Sequence, residues 1–96
     1  MNLSVTKEAA TWYKEELNLQ SGDTIRFFVQ YGGCSTVQKG LSLGIRKDEP
    51  AQPAVEIQEE GITFFIESDD EWYFDGHNLS VTFNKDDAFP QFHYEK

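Results

Sequence analysis

Two rhythms of apolar residues run through this chain. The first has a period of two. Ile25, Phe27, Val29 and Tyr31 alternate with Thr24, Arg26, Phe28 and Gln30, which is the pattern of a half-buried strand. Leu41, Leu43 and Ile45 repeat it beyond a glycine-rich turn, so the stretch from Arg26 to Leu43 reads as strand, turn, strand. Val55–Gln58 and Ile62–Glu67 alternate again across Glu59-Glu60-Gly61, a tight-turn signal, and predict a hairpin. Ile62, Phe64 and Ile66 share one face, and Phe65 on the other predicts that this second face is partly covered. Leu79, Val81 and Phe83 mark a late strand, and Met1–Val5 is long enough for a brief one.

The second rhythm is helical. Ala9, Ala10, Tyr13 and Leu17 fall on one face, with Trp12 and Leu19 widening the stripe. Thr6 is placed to cap this helix and Glu8 puts negative charge in its first turn. The helix is expected to end at Gln20–Asp23, with Gly22 near the C-cap. Ser68 is expected to cap a second, short helix with an acidic first turn, anchored by Trp72 together with Tyr73 or Phe74. Pro50 and Pro53 make Lys47–Ala54 a loop or a sheet edge. The tail, residues 84–96, has no clear period. Its Phe89, Pro90, Phe92, His93 and Tyr94 are too apolar for a free end, so part of it is expected to fold back. The whole reads as one β-rich domain over residues 1–96, with an amphipathic helix lying on a sheet.

Composition sharpens this picture. Eight Phe, four Tyr and two Trp in 96 residues supply large units to fill the space between sheets. Seventeen acidic against eight basic residues give a net charge of −9. Such a surface repels phosphate backbones and anionic membranes, so neither nucleic acid nor membrane is an expected partner. It suits cations or basic patches on proteins, though plain solubility explains it as well. The single cysteine, Cys34, cannot form an internal disulfide. With no basic-then-apolar leader and no apolar run of about 18 residues, the expectation is a cytoplasmic protein with a reduced thiol.

The candidate chemistry centres on Cys34, which follows Gly32-Gly33 and precedes Ser35. Two glycines allow positive φ and leave amide N–H groups free to face a sulfur, which favours thiolate and its metal complexes. The plain alternative is an inert thiol on a tight turn. His77, after Asp75-Gly76, and His93, in the aromatic tail, are the only imidazoles. Either could join Cys34 as a ligand, or be an ordinary surface or partly packed histidine. The acidic runs Glu59-Glu60, Asp69-Asp70-Glu71 and Asp86-Asp87 lack calcium-loop spacing and read as solvated turns and a helix start. No phosphate loop, nucleophile elbow or paired-cysteine zinc motif is present. A Cys34–histidine nucleophile pair would lack a third residue, so an enzyme is not expected.

The order of these features, with Gly32-Gly33-Cys34-Ser35, Gly40-Leu41, Glu60-Gly61-Ile62 and Tyr73-Phe74-Asp75-Gly76, resembles the HesB-like (IscA-like) domain of A-type iron–sulfur cluster biogenesis, from about Leu3 to about Phe83. In particular it resembles the small HesB-like proteins of the YneR type. The resemblance implies an α+β fold of twisted mixed β-sheets packed together, with an N-terminal helix and a short second helix. It also implies iron or a labile iron–sulfur cluster as ligand, Cys34 as metal ligand on a turn supported by Gly32, Gly33 and Ser35, and a homodimer working with iron–sulfur assembly or recipient proteins. Carrier members add a C-terminal Cys-Gly-Cys, and the chain after Phe83 has no cysteine. A cluster is ordinarily held by four thiolates. One chain offers one and a dimer two, so His93, Asp75, His77 or an outside thiol would have to complete the shell. Three readings follow: a protein of iron–sulfur assembly or iron handling, a protein-binding adaptor that keeps the fold without cluster chemistry, or a thiol-dependent enzyme or redox sensor.

Overall fold

Two mixed sheets carry the fold in the computed structural model, which describes residues 1–35 and 37–96 and, of Cys34, the backbone alone. The elements in order are β1 (Leu3–Val5), α1 (Lys7–Glu16), β2 (Thr24–Cys34), β3 (Lys39–Lys47), β4 (Pro53–Glu59), β5 (Ile62–Glu67), a 3₁₀ helix (Ser68–Phe74), β6 (Asn78–Thr82) and β7 (Gln91–Glu95). The larger sheet has the order β3-β2-β5-β4 and the smaller β1-β6-β7. β2 runs antiparallel to β3 and parallel to β5, and β1 runs parallel to β6. β4 is an edge strand that opens on Pro53, where a missing N–H costs no ladder bond.

The core lies where the two sheets and α1 meet. Ile25, Phe27, Ile62, Phe64 and Ile66 from the larger sheet, and Leu79 and Val81 from the smaller, are buried. α1 contributes Ala9, Ala10 and Tyr13, the face its helical spacing predicts. Aromatic rings join the layers. Phe27 stacks on Phe64 at 5.8 Å, Tyr13 approaches Phe64 at 5.9 Å, and Phe92 meets Phe27 edge-on at 5.8 Å. Fully burying such a ring contributes about 1.5–3 kcal/mol each. Phe65, on the opposite face of β5, is buried as well, and the 3₁₀ helix packs against β4 and β5.

Local chemistry sets the element ends. Thr6 Oγ1 accepts the Ala9 N–H at 3.2 Å, the expected N-cap. The far end differs from the sequence expectation. α1 stops at Glu16, and Asn18, not Gly22, takes the left-handed conformation at φ 53°. Leu19 N–H donates to Lys14 O at 2.8 Å and Asn18 N–H to Glu15 O at 3.3 Å, which closes the helix as a Schellman motif. Gly22 instead joins the turn that pairs with Gly61 O at 2.8 Å.

The second helix also departs from expectation. Glu67, not Ser68, holds the N-cap position and makes no side-chain cap bond. Its carboxylate turns away and accepts the N–H groups of Ala51 and Gln52, both at 2.9 Å. Tyr73 and Phe74 anchor the helix in the core, whereas Trp72 points outward and is 58% exposed. The tail does fold back. β7 pairs antiparallel with β6, from Asn78↔Glu95 to Thr82↔Gln91.

Candidate functional site

The cysteine turn is built by the β2–β3 hairpin. The ladder is regular as far as Tyr31↔Leu41 and resumes at Cys34↔Lys39. Gly32 and Gly33 therefore face the single Gly40, and this bulge ends the regular hairpin. The three glycines have φ of +98°, +68° and +76°, a region where a side chain is strained. At Gly33 space is short as well, since a Cβ would stand 3.2 Å from Ser42 Oγ. Ser42 Oγ donates to Gly32 O at 3.0 Å and so braces the bulge from β3.

Beyond the bulge, Ser35 closes the tip. Its Oγ accepts the Gln38 N–H at 3.1 Å and donates to Gln38 O at 3.2 Å. The Gln38 amide reaches Tyr73 O at 3.5 Å, linking the tip to the 3₁₀ helix. Cys34 ends β2 at the exit of this bulge. Its side chain lies outside the described residues, and so does the proposed coordination through it.

The other candidate ligands sit on different elements. Asp75 is exposed just after the 3₁₀ helix, at φ 49°. His77 follows it, with Nδ1 2.8 Å from Phe74 O. His93 is exposed on β7, where Nε2 lies 2.8 Å from Thr82 Oγ1. Among the described residues, no three His, Cys, Asp or Glu side chains gather as a metal site.

Two grooves flank the tip. One, of about 510 Å³, runs between Ser35, Ser42 and Leu43 on one side and Phe89, Pro90, Phe92 and Tyr94 on the other. The tail therefore lies beside the cysteine turn and forms a wall next to it. Tyr94 shares a hydrogen bond with Tyr73 through their hydroxyls at 3.1 Å, and burial first, then this bond, raises the Tyr94 pKa. The other groove, of about 240 Å³, is lined by Val29, Gln30, Tyr31, Leu41, Asp70 and Trp72. The alternation places Tyr31 on the buried face, yet it is 95% exposed. Tyr31 is the last regular pair before the bulge, beyond the part of the face that the core covers.

Charges at the opposite end of the hairpin are ordered. Arg26 pairs with Asp70 at 2.9 Å and with Asp48 at 3.4 Å. Burial opposes its charge, but the two carboxylates outweigh burial and raise its pKa. Asp48 is held below the usual carboxylate range, first by the Glu49 N–H and then by Arg26 and Arg46. The Arg26–Asp70 pair ties β2 to the 3₁₀ helix, and the Asp48 pairs tie the loop after β3 to β2 and β3.

The family model for iron–sulphur cluster biosynthesis matches residues 1–95. The chain belongs to this HesB/IscA family. Among its relatives, a protein of Bacillus subtilis (strain 168) named pyruvate dehydrogenase inhibitor is 55% identical over 95 residues, covering 99% of this chain and 100% of that one. An uncharacterized protein of Staphylococcus saprophyticus is 36% identical over 87 residues, covering 88% and 89% of the two chains. Two solved structures share the fold of this HesB/IscA domain. Escherichia coli SufA, described as involved in biosynthesis of iron–sulfur clusters, superposes with a TM-score of 0.62 at 21% identity, covering 96% of this chain and 79% of that one. IscA with a 2Fe-2S cluster superposes with a TM-score of 0.56 at 19% identity, covering 98% and 81%. The mixed-sheet α+β architecture expected from the resemblance is thus the observed one. No helix among the described residues is long and apolar enough to cross a membrane.

Proposed function

We propose that this HesB-like chain is a protein-binding module that inhibits pyruvate dehydrogenase and is not itself an enzyme. The observation that carries this reading is the 55% identity, over essentially the full length of both chains, to the Bacillus subtilis protein of that name. The donor count supports it, since one cysteine per chain is far from the four thiolates of a cluster. On this reading the Gly32–Ser35 tip serves as a shaped surface, and the protein works in the cytoplasm with Cys34 reduced. The test is direct. Purified pyruvate dehydrogenase is assayed with increasing amounts of the chain, wild type and Cys34→Ser. Saturable inhibition by both is expected, and an unchanged rate at every ratio overturns the reading.

A second reading is favoured by the turn itself. Gly32-Gly33-Cys34-Ser35 stands on a braced bulge, and the family resemblance implies that Cys34 is a metal ligand. Two copies could bring two such cysteines to iron or a labile cluster for transfer to assembly or recipient proteins. Anaerobic loading with ferrous iron and sulfide separates the two readings. Cys34-dependent iron uptake with charge-transfer absorption supports the second, and no uptake by either the wild type or Cys34→Ser excludes it.

A further inference from the structure

The groove beside Tyr31 and Trp72 offers a specific way to dock. We infer that it is the surface that engages pyruvate dehydrogenase, and that it takes a basic segment of that partner, a lysine or arginine next to an apolar side chain. The inference rests on the reading proposed above and names the surface through which it works.

Three observations carry it. First, Tyr31 and Trp72 are 95% and 58% exposed and line the same groove with Val29 and Leu41, so two large rings flank one apolar floor. Rings of this kind carry a disproportionate share of interface energy when a partner covers them. Second, the walls are held in place before any partner arrives. Tyr73 and Phe74 anchor the 3₁₀ helix in the core, Asp70 is paired with Arg26 at 2.9 Å, and the hairpin tip is tied to Tyr73 O through Gln38. A site already in its binding shape loses little entropy on association.

Third, the charge selects the occupant. Asp69, one 3₁₀ turn before Trp72, and Glu71, its neighbour in the chain, are exposed and make no ion pair among the described residues. Exposed carboxylates on the same short helix as an exposed indole favour a cation through both Coulomb and cation–π terms. A second copy of this chain is a poor occupant, because each copy carries −9 and would meet the same acidic surface.

The experiment measures binding and inhibition of purified pyruvate dehydrogenase by the wild type, Tyr31→Ala, Trp72→Ala, the double variant Asp69→Asn/Glu71→Gln, and Leu17→Ala as a surface control at the end of α1. Circular dichroism verifies the fold of each. The expected result is at least about a tenfold loss of affinity for Trp72→Ala and for Tyr31→Ala, in the range of interface aromatics. The acid-pair variant should bind more slowly and with a flatter salt dependence, and Leu17→Ala should match the wild type. Tyr31→Ala and Trp72→Ala binding as tightly as the wild type overturns the groove while leaving the inhibitor reading intact. A wild-type chain that does not bind pyruvate dehydrogenase overturns both.

Discussion

At the scale of single residues, the tip depends on backbone freedom more than on side chains. Gly32, Gly33 and Gly40 all hold positive φ, and only Gly33 also lacks room for a Cβ. Gly33→Ala is therefore expected to destabilise the protein by about 1–2 kcal/mol, the typical cost of left-handed backbone with a Cβ. Ser42 Oγ, a movable group 3.2 Å away, has to yield by a few tenths of an ångström. Urea unfolding checks this, and a midpoint equal to the wild type's would show that the bulge does not need glycine at that position. The need for glycine was legible in the sequence, because a Gly-Gly pair between two alternating runs has few other uses. The outward turn of Tyr31 was not legible. Alternation assigns it to the core face, and only the three-dimensional extent of the core shows that the face is uncovered at this point.

At the scale of elements, β2, β3, β4, β6 and α1 were legible because each has a clean period with a less buried side, and β5 by its alternation although both its faces are covered. The 3₁₀ helix was legible as a short helix but not in its cap. Glu67 is the last residue of a buried strand, and its carboxylate is drawn to the Ala51 and Gln52 N–H groups across the sheet, a partner no local rule can find. The tail was legible only in its apolar content. Pro90 interrupts it, and β7 takes its register from the preceding strand β6 across residues 83–90, a connection too long for a tight-turn signal to announce. Nor could sequence distance show that His93 would sit beside Thr82 and His77 against Phe74 O, on separate elements. If β7 is an integral strand, Phe92→Ala should weaken the whole protein by about 2 kcal/mol, less than a fully buried phenylalanine because Phe92 is only half-buried. The measurement is the loss of stability in urea with two-state behaviour preserved. A negligible change would mean that β7 contributes little to the fold.

At the scale of the whole molecule, stability should depend on pH from both sides, and the signs follow from which state binds the proton. Asp23 is held below the usual carboxylate range, first by the Gln20 N–H and then by Lys47, and Asp48 is lowered as described. Their contribution is present above the ordinary carboxylate value and is lost as pH falls through the lowered folded values. Both are surface groups, so this limb should be shallow and screened by salt. The alkaline limb is steeper. Burial raises the pKa of Tyr13, and burial with the Tyr73 bond raises that of Tyr94, each from an ordinary value of 10.0. Above that value the unfolded chain releases both phenolic protons while the folded chain keeps them. The unfolded state then binds fewer protons, and stability falls as pH rises. Each such tyrosine contributes a slope of up to about 1.4 kcal/mol per pH unit, less for the half-buried Tyr94. The net charge of −9 adds self-repulsion in the same direction. Urea midpoints measured from neutral pH to beyond 10 should therefore decline steeply. Tyr13→Phe, whose ring is buried against Phe27 and Phe64 and loses only a hydroxyl, should flatten that decline without lowering stability at neutral pH by more than about 1 kcal/mol. A decline as steep in Tyr13→Phe as in the wild type would assign the alkaline limb to the acidic surface and not to the core.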